Sequence, residues 1–171
     1  MSQLRLQLNA AAWGLPRARA IADDIRKHPR ALPQLIATLF QDDAELRKRA
    51  ADVVRRITER EPALLHRYAD ELAGLLASLP PEESRTRWHL GLAVPRVAHT
   101  PAQRLRAARL MHLLLESESN VTRCSAIEGI ALLARCDAQF RDAAEEMIHN
   151  ALATGTTAMK SRAQSARTML R

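Results

Sequence analysis

Apolar residues recur at helical spacing along almost the whole chain. Leu32, Leu35, Ile36 and Leu39 stand at i, i+3, i+4 and i+7, which places one buried stripe on a helix over Ala31–Phe40. Leu46, Ala50, Val53, Val54 and Ile57 do the same for a helix over Asp43–Arg60. The pattern continues as helices over Arg17–His28, from Pro62 to Leu79, and over Glu82–Val97. It resumes from Thr100 to Leu115, and over Val121–Arg135, Phe140–Ala153 and Ala158–Leu170. Leu4, Leu6 and Leu8 alternate, but a lone strand has no partner, so an irregular or helical piece is expected there. These are nine helices after that N-terminal piece, with no strand pattern that could build a sheet.

The breaks between stripes have recognisable chemistry. Asp42, answered by Glu45, suits a capping box at the start of the Arg47 helix. Thr100-Pro101-Ala102-Gln103 offers an N-cap, a first-turn proline and the glutamine that completes a box. Gly155 suits a helix C′ position. Pro95 falls inside a helical stretch four residues after Gly91 and predicts a kink. An Arg-x-x-small element then repeats: Arg47 with Ala50, Arg85 with Trp88, Arg123 with Ala126, and Lys160 with Ala163. The steps are 38, 38 and 37 residues, and a period near 40 marks a helical solenoid.

The Asp-rich turn followed by hydrophobic-Arg-x-x-Ala resembles the second helix of HEAT repeats. Asp43, Leu46, Arg47 and Ala50 match it in the first copy, and Arg123 and Ala126 in the third. The second copy departs with Ser84 and Trp88, and the fourth has Lys160 for Arg. The resemblance covers residues 31–171. It implies an all-α fold, a short right-handed α-α superhelix of about four HEAT-like helix pairs. The whole chain, 1–171, is then one domain, with capping helices over 1–30 and four repeats over 31–171. By the same resemblance Arg47, Arg85, Arg123 and Lys160 are structural, tying neighbouring units together through turn carboxylates.

Composition narrows the chemistry. Aromatics are 3% and the net charge is +7, nearly all from Arg. Residues 1–60 hold 12 basic and 7 acidic side chains, so the excess is greatest there. The first 22 residues have no acid but contain Arg5, Arg17 and Arg19. They are poor in Ser and lack a secretory apolar core, so they read as a first helical element and not as a targeting segment. Cys124 and Cys136 lie about 18 Å apart along one predicted helix, too far to bridge within it. Free thiols suit a reducing, cytoplasmic setting. No apolar run reaches membrane-spanning length. No nucleotide loop, nucleophile elbow or paired metal-binding histidines occur, so no catalytic residue, metal or cofactor is assigned.

The candidate site is a basic stripe. Arg49, Arg56 and Arg60 fall within about 40° on one helix, and the repeat period matches Arg87 and Arg162 to Arg49. Second helices line the concave face in HEAT solenoids, so the stripe could meet a partner there. Glu45–Arg49, Asp52–Arg56 and Arg55–Glu59 at i, i+4 describe the alternative of a solvated face whose charges satisfy one another. Trp88 and Trp13 could stack on a base or anchor a peptide, but Trp88 at an alanine-equivalent position reads first as core filler. The expected function is a non-enzymatic scaffold for a protein or peptide partner. Nucleic-acid binding is the second reading, because certain bacterial alkylpurine DNA glycosylases look similar in architecture. Those enzymes depend on several concave-face aromatics and a carboxylate; two Trp, one Tyr and two Phe do not supply that set.

Overall fold

A computed structural model describes residues 3–171. The described residues are 83% helical and include no strand. Ten α-helices follow one another: α1 Gln3–Leu8, α2 Leu15–Lys27, α3 Leu32–Leu39, α4 Ala44–Arg60, α5 Ala69–Ser78, α6 Ser84–Val97, α7 Pro101–Leu115, α8 Asn120–Cys136, α9 Arg141–Thr154 and α10 Thr157–Met169. Short 3-10 turns lead into α3, α5 and α9. The one before α5, Pro62–Tyr68, replaces the first part of what the sequence reads as a single helix. The alternating leucines near the N-terminus are helical: Leu4 and Leu8, one turn apart, are buried, and Leu6 is exposed.

The even-numbered helices pack in succession, α2 on α4, α4 on α6, α6 on α8 and α8 on α10. The odd-numbered α3, α5, α7 and α9 each pack on the helix that follows them. Leu35, Leu39, Leu46, Ile57, Leu72, Leu90, Leu114 and Ile127 are fully enclosed between these helices. Each such side chain contributes about 1.5–3 kcal/mol by leaving water.

The caps fix how the starts of α4, α6, α8 and α10 correspond. The N-cap of α4 is Asp43, whose carboxylate accepts from Leu46 N at 3.0 Å. It is not Asp42, and Glu45 turns instead to Lys48 and Arg49. The corresponding caps are Glu83 for α6, Ser119 for α8 and Thr156 for α10. Four residues after each cap, a backbone N–H closes the first turn on the cap carbonyl. These residues are Arg47 (2.8 Å), Arg87 (2.9 Å), Arg123 (3.0 Å) and Lys160 (2.8 Å). The second copy therefore starts at Arg87 and not at Arg85. Three residues further on, Ala50, Leu90, Ala126 and Ala163 are all fully buried. Leu90, not Trp88, takes the enclosed position. The physical reason is the longer turn around Pro80-Pro81, which moves the α6 start beyond the average period.

Helices α6 and α8 meet through glycine. A methyl group on Gly129 would stand 2.9 Å from the Gly91 carbonyl oxygen and 3.1 Å from Pro95 Cγ. Pro95 lies inside α6, which continues past it to Val97. Having no N–H, Pro95 leaves the Gly91 carbonyl without its helical donor, and α8 approaches at that point. The Thr100–Gln103 capping box forms in full. Gly155 caps α9 at φ −72°, in extended backbone and not in the left-handed region expected of a C′ glycine.

Candidate functional site

Arg47 shows what a repeat-start arginine does. Its Nε donates to Leu39 O at 2.9 Å and one Nη to Gln41 O at 2.6 Å, so it satisfies carbonyls left open at the end of α3. The other Nη is hydrogen-bonded to Glu83, the cap of α6. One side chain on α4 thus joins the end of α3 to the cap of α6. Among the described residues Arg123 reaches only Asn120 Oδ1, at 2.7 Å, and Lys160 is exposed. Arg87 keeps a buried Nε without an acceptor among the described residues. It lines a cleft with Pro81, Glu82, Leu113 and Glu116 at the end of α7.

The predicted basic stripe divides among three places. Arg49 is held at the N-terminal segment: it donates to Leu8 O at 2.8 Å and Ala10 O at 2.9 Å, pairs with Glu45, and lies over the Trp13 ring. Arg60 is exposed beside Asp23, Arg26 and Glu61, where α2 and α4 end. Arg87 belongs to the cleft just described. The cap register matches Arg162 to Arg49, six residues after their caps, but places His89 and not Arg87 in that row. Only Arg56 and Arg162 enter the network that spans the even-numbered helices.

That network begins at Asp52 of α4, which is buried. Arg56 Nε stands 2.9 Å from Asp52 Oδ1 in a charge contact too bent to be a hydrogen bond. Arg55 reaches the same oxygen at 3.4 Å and also bonds Glu59. Arg55 Nε crosses to α6, where it donates to His89 Nδ1 at 3.1 Å. That nitrogen must be unprotonated to accept, and His89 is held neutral accordingly. Its pKa falls to about 4, chiefly through burial, with Asp52 pulling the other way and the surrounding arginines adding to the fall. Further along α6, Arg96 reaches Glu128 of α8 at 3.5 Å. Burial lowers the Arg96 pKa, and Glu128 and Glu59 oppose that fall. Glu128 also takes Arg162 of α10, at 2.7 Å. One carboxylate on α8 therefore bridges α6 and α10.

Trp88 stands at the edge of this network and outside the hydrophobic core. Its ring has the guanidinium of Arg55 at 5.3 Å and that of Arg85 at 5.6 Å, and it leans on His89. The core-filler expectation fails because Trp88 stands two residues before Leu90, which takes the enclosed position, and so points to another face of α6. Arg85, read from the sequence as a structural tie, is exposed and lies against this ring. Sequence reasoning missed Asp52, Arg55, His89, Arg96 and Glu128 as a group. The available signal was their distance from the caps: Asp52 and Glu128 both lie nine residues in, and Arg56 and Arg96 thirteen.

Among the described residues no group of three His, Cys, Asp or Glu side chains is gathered as a metal would require. Cys124 is buried and Cys136 exposed, both as free thiols, and burial raises the Cys124 pKa. No described helix is long and apolar enough to cross a membrane. No protein-family model matches the chain, and no curated protein matches it in sequence.

Proposed function

We propose that this chain is a non-enzymatic interaction scaffold. Its helix pairs form a short right-handed superhelix of the HEAT type, and the shared face of α4, α6, α8 and α10 receives a protein or peptide segment. The observation that carries this reading is the alternation of charge on that face. Arg55, Arg56, Arg96 and Arg162 are paired with Asp52, Glu59 and Glu128, and Arg85 stands beside them against Trp88. A duplex presents one negative charge per about 1.7 Å, and fixed carboxylates within a Debye length oppose such a polyanion. A protein segment with charges of both signs meets no such opposition.

The test is selection from a displayed library of extended peptides on the full chain, with counter-selection on an Arg55→Gln, Arg96→Gln variant. Mixed-charge sequences that bind the first and not the second are expected. In parallel, duplex and single-stranded DNA are titrated by fluorescence anisotropy across a salt series. Submicromolar DNA binding at about 0.15 M salt, with a log–log slope of about −3 to −5 and loss on Arg56→Gln and Arg162→Gln, would replace this reading with nucleic-acid binding.

A further inference from the structure

We infer that the N-terminal end carries a second docking site, separate from the charged face, for an acidic peptide segment with one bulky apolar anchor. Between the α1–α2 connection and α2 lies a cavity of about 580 Å³. Ala12, Trp13, Pro16, Ala20 and Ile21 give it apolar walls, and Arg17 stands at its side. Its size and lining suit one large side chain with its neighbours. Leu15, the first residue of α2, is 46% exposed, and Leu6, beside the lining residue Gln7, is 56% exposed. Large apolar side chains left in water next to an apolar hollow mark an interaction surface.

The walls are held before any ligand arrives. Trp13 packs on the core and has the Arg49 guanidinium 5.4 Å from its ring centroid. Arg49 is fixed in turn by the Leu8 and Ala10 carbonyls. A site held in this way loses little entropy on binding.

Charge selects the occupant. Arg17 and Arg19 are exposed on α2, and the first 22 residues of the chain contain no carboxylate. A second copy docked by the same end would set these arginines against themselves. A nucleic acid would find two exposed arginines beside an apolar hollow and no ladder of stacking rings. An acidic segment gains attraction at the rim and burial in the hollow.

The experiment uses the full chain with Trp88→Phe, which leaves Trp13 as the single tryptophan reporter. Three synthetic peptides of about twelve residues share a central Leu-x-x-Phe anchor. Their flanks are acidic, amide (Asn/Gln) or basic. The acidic peptide is expected to change Trp13 emission saturably and to bind at least tenfold more tightly than the amide one. Arg17→Gln should weaken it roughly fivefold, as loss of one exposed ion pair does. Ala20→Glu, a change at an exposed position, should abolish binding without moving the thermal midpoint. Equal binding of the acidic and amide peptides, binding retained in Ala20→Glu, or no saturable change with any peptide would overturn the inference. So would self-association in sedimentation that Ala20→Glu removes. Arg55→Gln with Arg96→Gln should leave this binding intact, so failure here and failure of the charged-face reading are told apart.

Discussion

Removing Arg47 should cost more stability than removing any other repeat-start cation. The side chain makes three charge-assisted hydrogen bonds, to Leu39 O, Gln41 O and Glu83. Such bonds contribute about 1.5–3 kcal/mol each when no water can replace them. The two carbonyls lie at a turn and regain water once the guanidinium is gone, so much of their share returns. Glu83 does not recover so easily: its side chain is only 14% exposed, and its Oε2 already lacks a partner among the described residues. Leaving one member of a largely buried pair unpaired costs about 3–5 kcal/mol. The expected loss for Arg47→Ala is therefore about 3–4 kcal/mol. Urea denaturation followed by circular dichroism measures it; with a slope of about 2 kcal/mol/M, the midpoint falls by about 1.5–2 M. Because both side chains serve one contact, Arg47→Ala with Glu83→Ala should cost about 1–2 kcal/mol less than the sum of the single changes. A loss below about 1 kcal/mol, or strict additivity in that cycle, would refute the reasoning. Arg123→Ala, with one exposed hydrogen bond to Asn120, should cost about 0.5–1.5 kcal/mol by the same logic.

Two further outcomes follow from buried groups. The folded pKa of His89, about 4, lies below its unfolded value near 6.5, so the unfolded chain binds the extra proton between those limits. Stability should therefore fall as pH drops from 6.5 to 4, by up to about 3 kcal/mol from this residue. His89→Gln should flatten that part of the wild-type stability–pH curve, and an unchanged slope would show that His89 is accessible to protons in the fold. Glycine substitutions should separate by location: Gly129→Ala meets Met111 Sδ at 2.3 Å and the Gly91 carbonyl at 2.9 Å and should destabilise by about 1–3 kcal/mol. Gly74→Ala meets nothing nearer than the end of Arg106 at 3.5 Å and should stabilise by about 0.5–1 kcal/mol through helix propensity; thermal melts of the pair check both signs.

Sequence alone determined the helical elements and the contacts that stay within one helix. Apolar spacing of 3.6 residues is a local property, so α2 to α10 are legible from Leu, Ile, Val and Ala positions. The Thr100–Gln103 box and the pairs Glu45–Arg49, Asp52–Arg56 and Arg55–Glu59 are legible for the same reason: one turn of helix sets their separation. The tertiary structure decided everything that depends on where one helix lies against the next. Arg55 meets His89, Arg96 meets Glu128, and Arg162 meets Glu128 across 32 to 34 residues of sequence, and no helical period reveals such a meeting. Register between units was misread for a related reason. An even spacing of 38 residues pointed to Arg85, whereas the longer turn before α6 and the shorter one before α8 put Arg87 in the row of Arg47. A mean period conceals opposite changes in turn length, and only the cap hydrogen bonds fix where each helix begins. The same packing carried Arg49 to the N-terminal segment and left Trp88 against two guanidiniums, because the chain around each residue, and not its own type, decides which neighbour arrives.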